Sequence, residues 1–139
     1  MEEASSDASP TEPMGPEEEY HHVFFYFVQA LRILAMGPDP QCDAQGNYNV
    51  AFELQAEILS GRYLIGKGRL DDAEEGAIAA LAITISTVPD SALVFANGHA
   101  SNVRNMMNPV WAPIRAEAVS LLALLGPRIL QNNAYFEKH

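Results

Sequence analysis

The sequence predicts an all-α fold: a compact bundle of four main helices and one or two short helices, preceded by a disordered acidic tail. The first observation behind this prediction is the stretch Ala77–Val88, which holds nine Ala, Ile, Leu or Val residues in twelve and no charge. A segment that is apolar on every side is usually buried on every side, so we expect it to be the central helix. Apolar stripes at helical spacing elsewhere, separated by Gly and Pro, predict the other helices.

Amino-acid composition predicts the N-terminal tail and the start of the first helix. Residues 1–16 are rich in Ser, Pro and Glu and have little to bury, which predicts disorder. Pro16 and the acids Glu17–Glu19 then suit a helix start, because proline fits the first turn and negative charge favours the positive end of the helix dipole. We expect this helix to run from about Glu17 to Met36, where Gly37-Pro38 ends it.

The first helix has more aromatic surface than one buried stripe needs. Phe25, Tyr26 and Ile33 lie outside its main i, i+3, i+4 pattern. The helix is therefore expected either to bury two faces or to present one to another molecule. Its VFFYFV run also has high strand propensity, which leaves a strand as the alternative.

The middle of the chain predicts a loop, a helix and a turn. Residues 39–49 are dense in turn-forming residues and predict a loop. The second main helix is expected from Asn49 or Val50 to about Ser60, with helical structure continuing through residues 62–65. The Gly66-Lys67-Gly68 segment should then turn the chain into the central helix.

The central helix has recognisable ends. Asp71 suits the N-cap, and Glu74 stands three residues later, as a capping box requires. Pro89 should close the helix after Val88. The β-branched residues in its second half leave a buried strand as the alternative, but the length of the segment and its alanines favour a helix.

The C-terminal third is expected to be less regular. Asn97-Gly98 indicates a turn, and residues 102–107 indicate a short helix. The last main helix should begin with Pro113 and end at Gly126-Pro127. We expect a single domain over residues 17–130, with at most one further turn of helix before a C-terminal tail at 131–139. Trp111, between two prolines, is expected in the core, with an interface as the alternative.

Charge and composition limit the classes of function. The chain has 139 residues and a net charge of −10, of which the seven acids and no bases of residues 1–19 contribute −7. Residues 39–90 hold nine acids against three bases. This acidity argues against nucleic-acid binding and fits either a basic protein partner or solubility alone. The single cysteine, Cys42, and the absence of a leader-like or membrane-spanning stretch predict a cytoplasmic protein that does not bind membranes.

No sequence motif for catalysis or a cofactor withstands inspection. Gly61–Gly68, GRYLIGKG, has Gly where a P-loop needs Ser or Thr, and no buried strand precedes it. Residues 41–52 lack the acids of an EF-hand loop. The pair His21-His22 is expected at the surface, with His22 paired to Glu18 one turn away. Cys42 has acidic neighbours, which do not favour a reactive thiolate.

These observations predict a non-enzymatic protein-binding module, an inhibitor or an immunity protein of the antitoxin type, that docks a basic partner through acidic helical surface. The residues expected at that surface are Glu53, Glu57, Asp72 and Glu75. We expect no catalytic residue, metal or cofactor. One alternative is a small enzyme with a site assembled from scattered residues such as Glu53, Glu57 and His99. The other is a structural homodimer formed through the first helix.

Overall fold

The computed structural model describes residues 14–139, and within them the fold is all-α, as predicted. The helices are α1 (Pro16–Leu34), α2 (Pro38–Ala44), α3 (Val50–Ser60), α4 (Asp72–Ser86), α5 (His99–Met106), α6 (Trp111–Leu124) and α7 (Gly126–Lys138). Two 3₁₀ turns lie at Gly61–Leu64 and Asp90–Ala92. None of the helices in this part of the chain is long and apolar enough to cross a membrane. The predicted disordered tail lies, up to residue 13, outside the described residues.

Helix α1 is the centre of the fold, and the prediction that Ala77–Val88 would be buried on all sides is wrong. Helix α1 packs against α2, α3, α6 and α7 and buries Phe24, Phe27 and Leu31. Helix α4 packs against α3 and α6 along one side only, and Ile83 on its outer side is 68% exposed. Apart from Ile83, the outer side of α4 carries small residues such as Gly76, Ala80 and Thr87, which expose little apolar area although they carry no charge.

The predicted capping box at the start of α4 is present. The Asp71 carboxylate accepts a hydrogen bond from the Glu74 backbone N–H at 2.8 Å, and the Glu74 carboxylate accepts one from the Asp71 N–H at 2.8 Å. Glu74 is buried, and the Arg128 guanidinium of α7 donates to it at 3.0 Å. The Glu74 side chain thus satisfies the backbone N–H of Asp71 and links α7 to α4.

Two segments predicted to be irregular are helical. Residues 39–49 were expected to form a loop, but α2 occupies the first half because Gly37-Pro38, which ends α1, also places proline in a new first turn. Gly126-Pro127 acts in the same way. Helix α6 ends at Leu124, as expected, and the segment predicted as a tail continues as the thirteen-residue α7. Residues 14–139 therefore contain five longer helices rather than four.

Glycine at position 61 is required by close packing. A Cβ atom there would lie 2.3 Å from the Phe27 ring, so the 3₁₀ turn that follows α3 can approach α1 only with glycine at this position. Beyond it, Gly66 and Gly68 have φ of 81° and 77° and form the predicted turn into α4. The P-loop-like stretch is thus the end of one helix and a turn.

Buried Asn102 joins the two loops at one end of the molecule. Its amide nitrogen donates to the backbone carbonyls of Asn47 at 2.8 Å, Ala96 at 3.2 Å and Gly98 at 2.7 Å. Its oxygen accepts from the Val50 N–H, the first of α3, at 2.8 Å. A fully paired buried amide of this kind fixes both loops relative to α3 and α5.

The last third keeps the predicted order with shifted ends. The predicted short helix is α5, which begins at His99 rather than at residue 102. Helix α6 begins at Trp111, two residues before Pro113, and Trp111 is fully buried, as expected for a core residue.

A candidate partner-binding face on helix α1

The four predicted partner-binding residues lie in two places. Glu53 and Glu57 are partly exposed on α3, one turn apart. Asp72 is exposed in the first turn of α4, and the Glu75 carboxylate accepts the Gly66 backbone N–H at 2.9 Å. Glu75 therefore helps to hold the turn before α4. Glu57 lines a groove between α1 and α3.

The surplus aromatic face predicted for α1 lies at the surface. The Phe25 side chain is 38% exposed and the Tyr26 side chain 65% exposed. Their rings meet edge to face, with centroids 5.3 Å apart. Exposed aromatic residues that pack on each other are typical of protein interfaces, because they provide large rigid contact areas. A groove runs along each side of this pair.

The first, which we call the acidic groove, separates α1 from α3 and has a volume of about 360 Å³. Its lining comprises Tyr26, Gln29, Ala30 and Ile33 of α1, Gln45 after α2, and Glu57 and Ser60 of α3. Glu57 provides its carboxylate, and the nearest hydrogen-bond donor to that group, the Gln45 amide, lies 3.4 Å from both oxygens. The groove is thus apolar and amide-lined around one carboxylate.

Glu57 is in an unfavourable position for its charge. Burial raises the pKa of Glu57, the neighbouring charge of Glu53 raises it further, and the hydrogen bond from Gln45 lowers it. Among residues 14–139, no basic side chain forms an ion pair with Glu57. A half-buried carboxylate without a cation therefore faces the same groove as the exposed ring of Tyr26.

The second groove, the aromatic groove, separates α1 from α7 and has a volume of about 320 Å³. It is lined by His22, Phe25, Tyr26, Asn133 and Phe136. The Phe136 ring meets Phe25 and His22 edge to face, with centroids 6.0 Å and 5.0 Å apart. This groove is apolar apart from the imidazole of His22 and the amide of Asn133, and Tyr26 lines it together with the acidic groove.

His21 helps to position α7, which forms one side of the aromatic groove. The prediction that His21 lies at the surface is wrong. His21 is buried, and its Nδ1 atom lies 2.6 Å from the Asn132 side-chain oxygen. The Tyr135 ring stacks on it at a centroid distance of 3.7 Å. These contacts hold α7 against α1. The predicted pair of His22 with Glu18 is present at 3.9 Å.

The sequence contains a pattern that predicts α7, the helix on one side of the aromatic groove. Leu125, Ile129, Asn132 and Phe136 follow helical spacing across Gly126-Pro127, so extending the periodicity past the proline would have predicted α7. A Gly-Pro pair taken alone is typical of a helix end, which is why the local pattern predicts a stop at this point.

The residues of the alternative enzyme site are not brought together by any contact. The His99 ring contacts Asp39 at 2.9 Å, Asp43 at 3.1 Å and the Asn47 side-chain oxygen at 2.7 Å, whereas Glu57 contacts Gln45. His99 therefore links α5 to α2. Within residues 14–139 no group of three His, Cys, Asp or Glu side chains is arranged to hold a metal ion.

Cys42 does not have the environment of a nucleophile. Its thiol is fully buried, and burial, with the charges of Asp39 and Asp43 adding to it, raises the pKa of Cys42 to about 11. The thiolate, which is the reactive form, is therefore scarce near neutral pH.

Comparisons with family models, with curated proteins and with solved structures find no match for this chain.

Proposed function

We propose that this protein is a non-enzymatic binding module that docks a basic protein partner on the α1 face and inhibits it, as an immunity protein of the antitoxin type does. The observation that carries the proposal is Glu57: a half-buried carboxylate that lacks a cation and lies in one groove with the exposed ring of Tyr26. A Lys or Arg side chain from a partner would supply the missing charge.

The two groups suit a basic side chain for different reasons. The Glu57 carboxylate would accept charge-assisted hydrogen bonds in a site partly shielded from water, where such bonds are stronger than at an open surface. The Tyr26 ring would meet the aliphatic stem or the cation, an interaction worth about 0.5–2 kcal/mol depending on its desolvation. The net charge of −10 would attract a basic partner over longer distances and speed its association.

A homodimer through α1 is less well supported by the same face. In a two-fold dimer the same patch lies on both sides of the interface, so Glu53 and Glu57 of one copy would approach those of the other. Like charges brought together in this way oppose association. A basic partner removes this repulsion, and a second copy adds to it.

The proposal is tested by capture followed by measured affinity. The tagged protein is used to capture proteins from lysate of its source organism, and any stoichiometric basic protein is purified and titrated against wild type and variants. We expect Glu57→Gln to weaken binding about tenfold or more, and Glu53→Lys with Glu57→Lys to weaken it further. Asp90→Asn, which removes an exposed acid after α4 that is not among the predicted binding residues, should leave the affinity within about twofold, since exposed charges at a distance contribute little.

Three results bear on the proposal directly. An affinity that falls as the pH drops through the pKa of Glu57 would support it, because the protonated carboxyl no longer attracts a cation. An affinity for the captured protein that is unchanged by the Glu57 variants at low salt would reject this face as the site. Light scattering that shows a stable dimer, disrupted by Tyr26→Ala, would replace the proposal with self-association.

A further inference from the structure

The two grooves beside α1 share one wall. Tyr26 lines the acidic groove together with Glu57 and lines the aromatic groove together with Phe25 and Phe136. Two side chains that entered the grooves together would both contact this one residue. Because each van der Waals contact is about 3.5–4 Å long, the two side chains would lie close to each other. This geometry limits how far apart two such side chains can be on a partner.

The grooves differ in the chemistry they accept. The acidic groove offers a carboxylate without a cation. The aromatic groove offers the rings of Phe25, Tyr26 and Phe136, and a concave site of this kind buries an apolar side chain well. A partner that fills both therefore needs one basic and one apolar side chain at short spacing.

The backbone of that partner segment follows from what the fold provides. Strand addition, one mode by which an extended peptide binds, needs a sheet edge, and residues 14–139 contain no strand that offers one. A helix in a groove needs no such edge. Side chains at i and i+4 or i+3 on a helix have Cβ atoms about 5–6 Å apart, a short spacing that suits two grooves with one lining residue in common.

We infer, on the basis of the proposed function, that the partner presents an amphipathic helix with an apolar anchor and a Lys or Arg one turn away. The anchor, a Leu, Met or Phe side chain, fills the aromatic groove while the basic side chain reaches Glu57. The pairing of charge with Glu57 selects a basic segment rather than a second copy of this acidic chain, whose own Glu53 and Glu57 would oppose it.

The experiment uses labelled synthetic helical peptides of about sixteen residues in an alanine and glutamine host, titrated against the full chain by fluorescence anisotropy. One peptide carries Leu and Arg at i and i+4, and its matched control carries them at i and i+2, which face different sides of a helix. We expect the i, i+4 peptide to bind about tenfold tighter, the lower end of what burying one leucine side chain provides.

Variants then assign each side chain to its groove. Glu57→Gln should remove the advantage of Arg over Gln in the peptide, and Phe136→Ala should remove the advantage of Leu over Ala. Since Phe136 also contacts Phe25 and His22, a second variant, Asn133→Phe, fills the groove from an exposed position, and it should weaken the Leu peptide without lowering the melting temperature.

The outcomes separate this inference from the proposed function. Equal binding of the two spacings, tighter binding when Lys replaces Leu, or no saturable binding up to about 1 mM would each overturn the helix-and-anchor inference. Binding of the captured full-length partner that depends on Glu57 but is unaffected by Phe136→Ala and Asn133→Phe would also overturn it, while the proposed function would stand. If binding of the captured partner does not depend on Glu57, both the helix-and-anchor inference and the proposed function are overturned.

Discussion

Asn102→Ala tests how strongly one buried amide holds the two loops. The substitution removes four hydrogen bonds, and their loss is not equal. The carbonyl of Ala96 also accepts the Asn49 N–H at 2.7 Å, and the carbonyl of Asn47 also accepts the Gly98 N–H at 2.9 Å, so both keep a partner. The Val50 N–H is at the first position of α3, where no preceding turn supplies an acceptor, and Asn102 is its partner among the described residues.

The expected loss of stability follows from the difference between the Val50 N–H, which loses its partner, and the carbonyls that keep one. An orphaned buried N–H costs about 1–3 kcal/mol, so the Val50 N–H alone accounts for about 2 kcal/mol. The three lost donations are to carbonyls that keep a second partner or meet water, and together they add about 1 kcal/mol. We therefore expect Asn102→Ala to lower the free energy of unfolding by about 3 kcal/mol. For a chain of this size, that corresponds to a fall in melting temperature of about 10 °C.

Urea unfolding followed by circular dichroism measures the effect, with Asn105→Ala as the matched control. Asn105 lies on the same helix and donates one hydrogen bond, to the exposed Val94 carbonyl at 2.7 Å, so its loss should cost about 1 kcal/mol or less. Asn102→Asp keeps the acceptor for Val50 but places a carboxylate oxygen against three carbonyls, so it should be at least as destabilising as alanine. A loss below about 1 kcal/mol for Asn102→Ala, or wild-type stability for Asn102→Asp, would refute the reasoning.

Three further substitutions test other contacts. Gly61→Ala should lower the free energy of unfolding by about 2 kcal/mol in urea, because the new methyl group overlaps the Phe27 ring; an unchanged midpoint would show that the turn moves freely. Arg128→Met should lower the melting temperature by leaving buried Glu74 without its cation, and Arg128→Lys should restore only part of it; equal melting temperatures for all three would contradict this. Glu57→Gln should raise stability at pH 7 by about 0.5 kcal/mol, allowing for solvent screening, because burial raises the pKa of Glu57 and so disfavours its charged form in the fold. That gain should vanish as the pH falls through the pKa of Glu57, where the native carboxyl becomes neutral, and a gain that grows in acid would show the opposite sign.

Elements with local start signals could be predicted from the sequence. The capping box of Asp71 and Glu74 is made by side chains three residues apart, so it needs no knowledge of the rest of the chain. The bounds of α3, Val50–Ser60, follow from its apolar spacing in the same way. In both cases the interactions that decide the structure lie within one or two turns.

The position of each helix in the bundle could not be predicted in this way. Ala77–Val88 lies within the longest run without Asp, Glu, Lys or Arg, residues 76–89. A lack of charge does not show how much area a segment buries, and the aromatic side chains of α1 have far more surface to bury. The start of α7 was missed for a related reason. Gly126-Pro127 fits the end of one helix and the start of the next equally well, and what decides between them is distant: the contact of Asn132 with His21 across the bundle.

The candidate site also combines features that local sequence predicts with features that only tertiary packing decides. Sequence named Glu57, but it also named Glu53, Asp72 and Glu75, and no local property separates the four. What separates Glu57 is tertiary: α3 and α1 pack so that its carboxylate lies in the groove lined by Tyr26. The aromatic surplus of α1 was visible in sequence, whereas its exposure was not.

A comparison of Glu57 with Glu74 gives the strongest physical reason to treat the first as functional. Both carboxylates are withdrawn from water, and the Glu74 carboxylate accepts hydrogen bonds from the Asp71 backbone N–H and from the guanidinium of Arg128. Glu57 has the side-chain amide of Gln45 at 3.4 Å and an unfavourable neighbour in Glu53. Since the fold compensates the buried charge of one glutamate and leaves the other poorly compensated beside an exposed aromatic ring, a cation supplied from outside is the simplest group that would make the two equivalent.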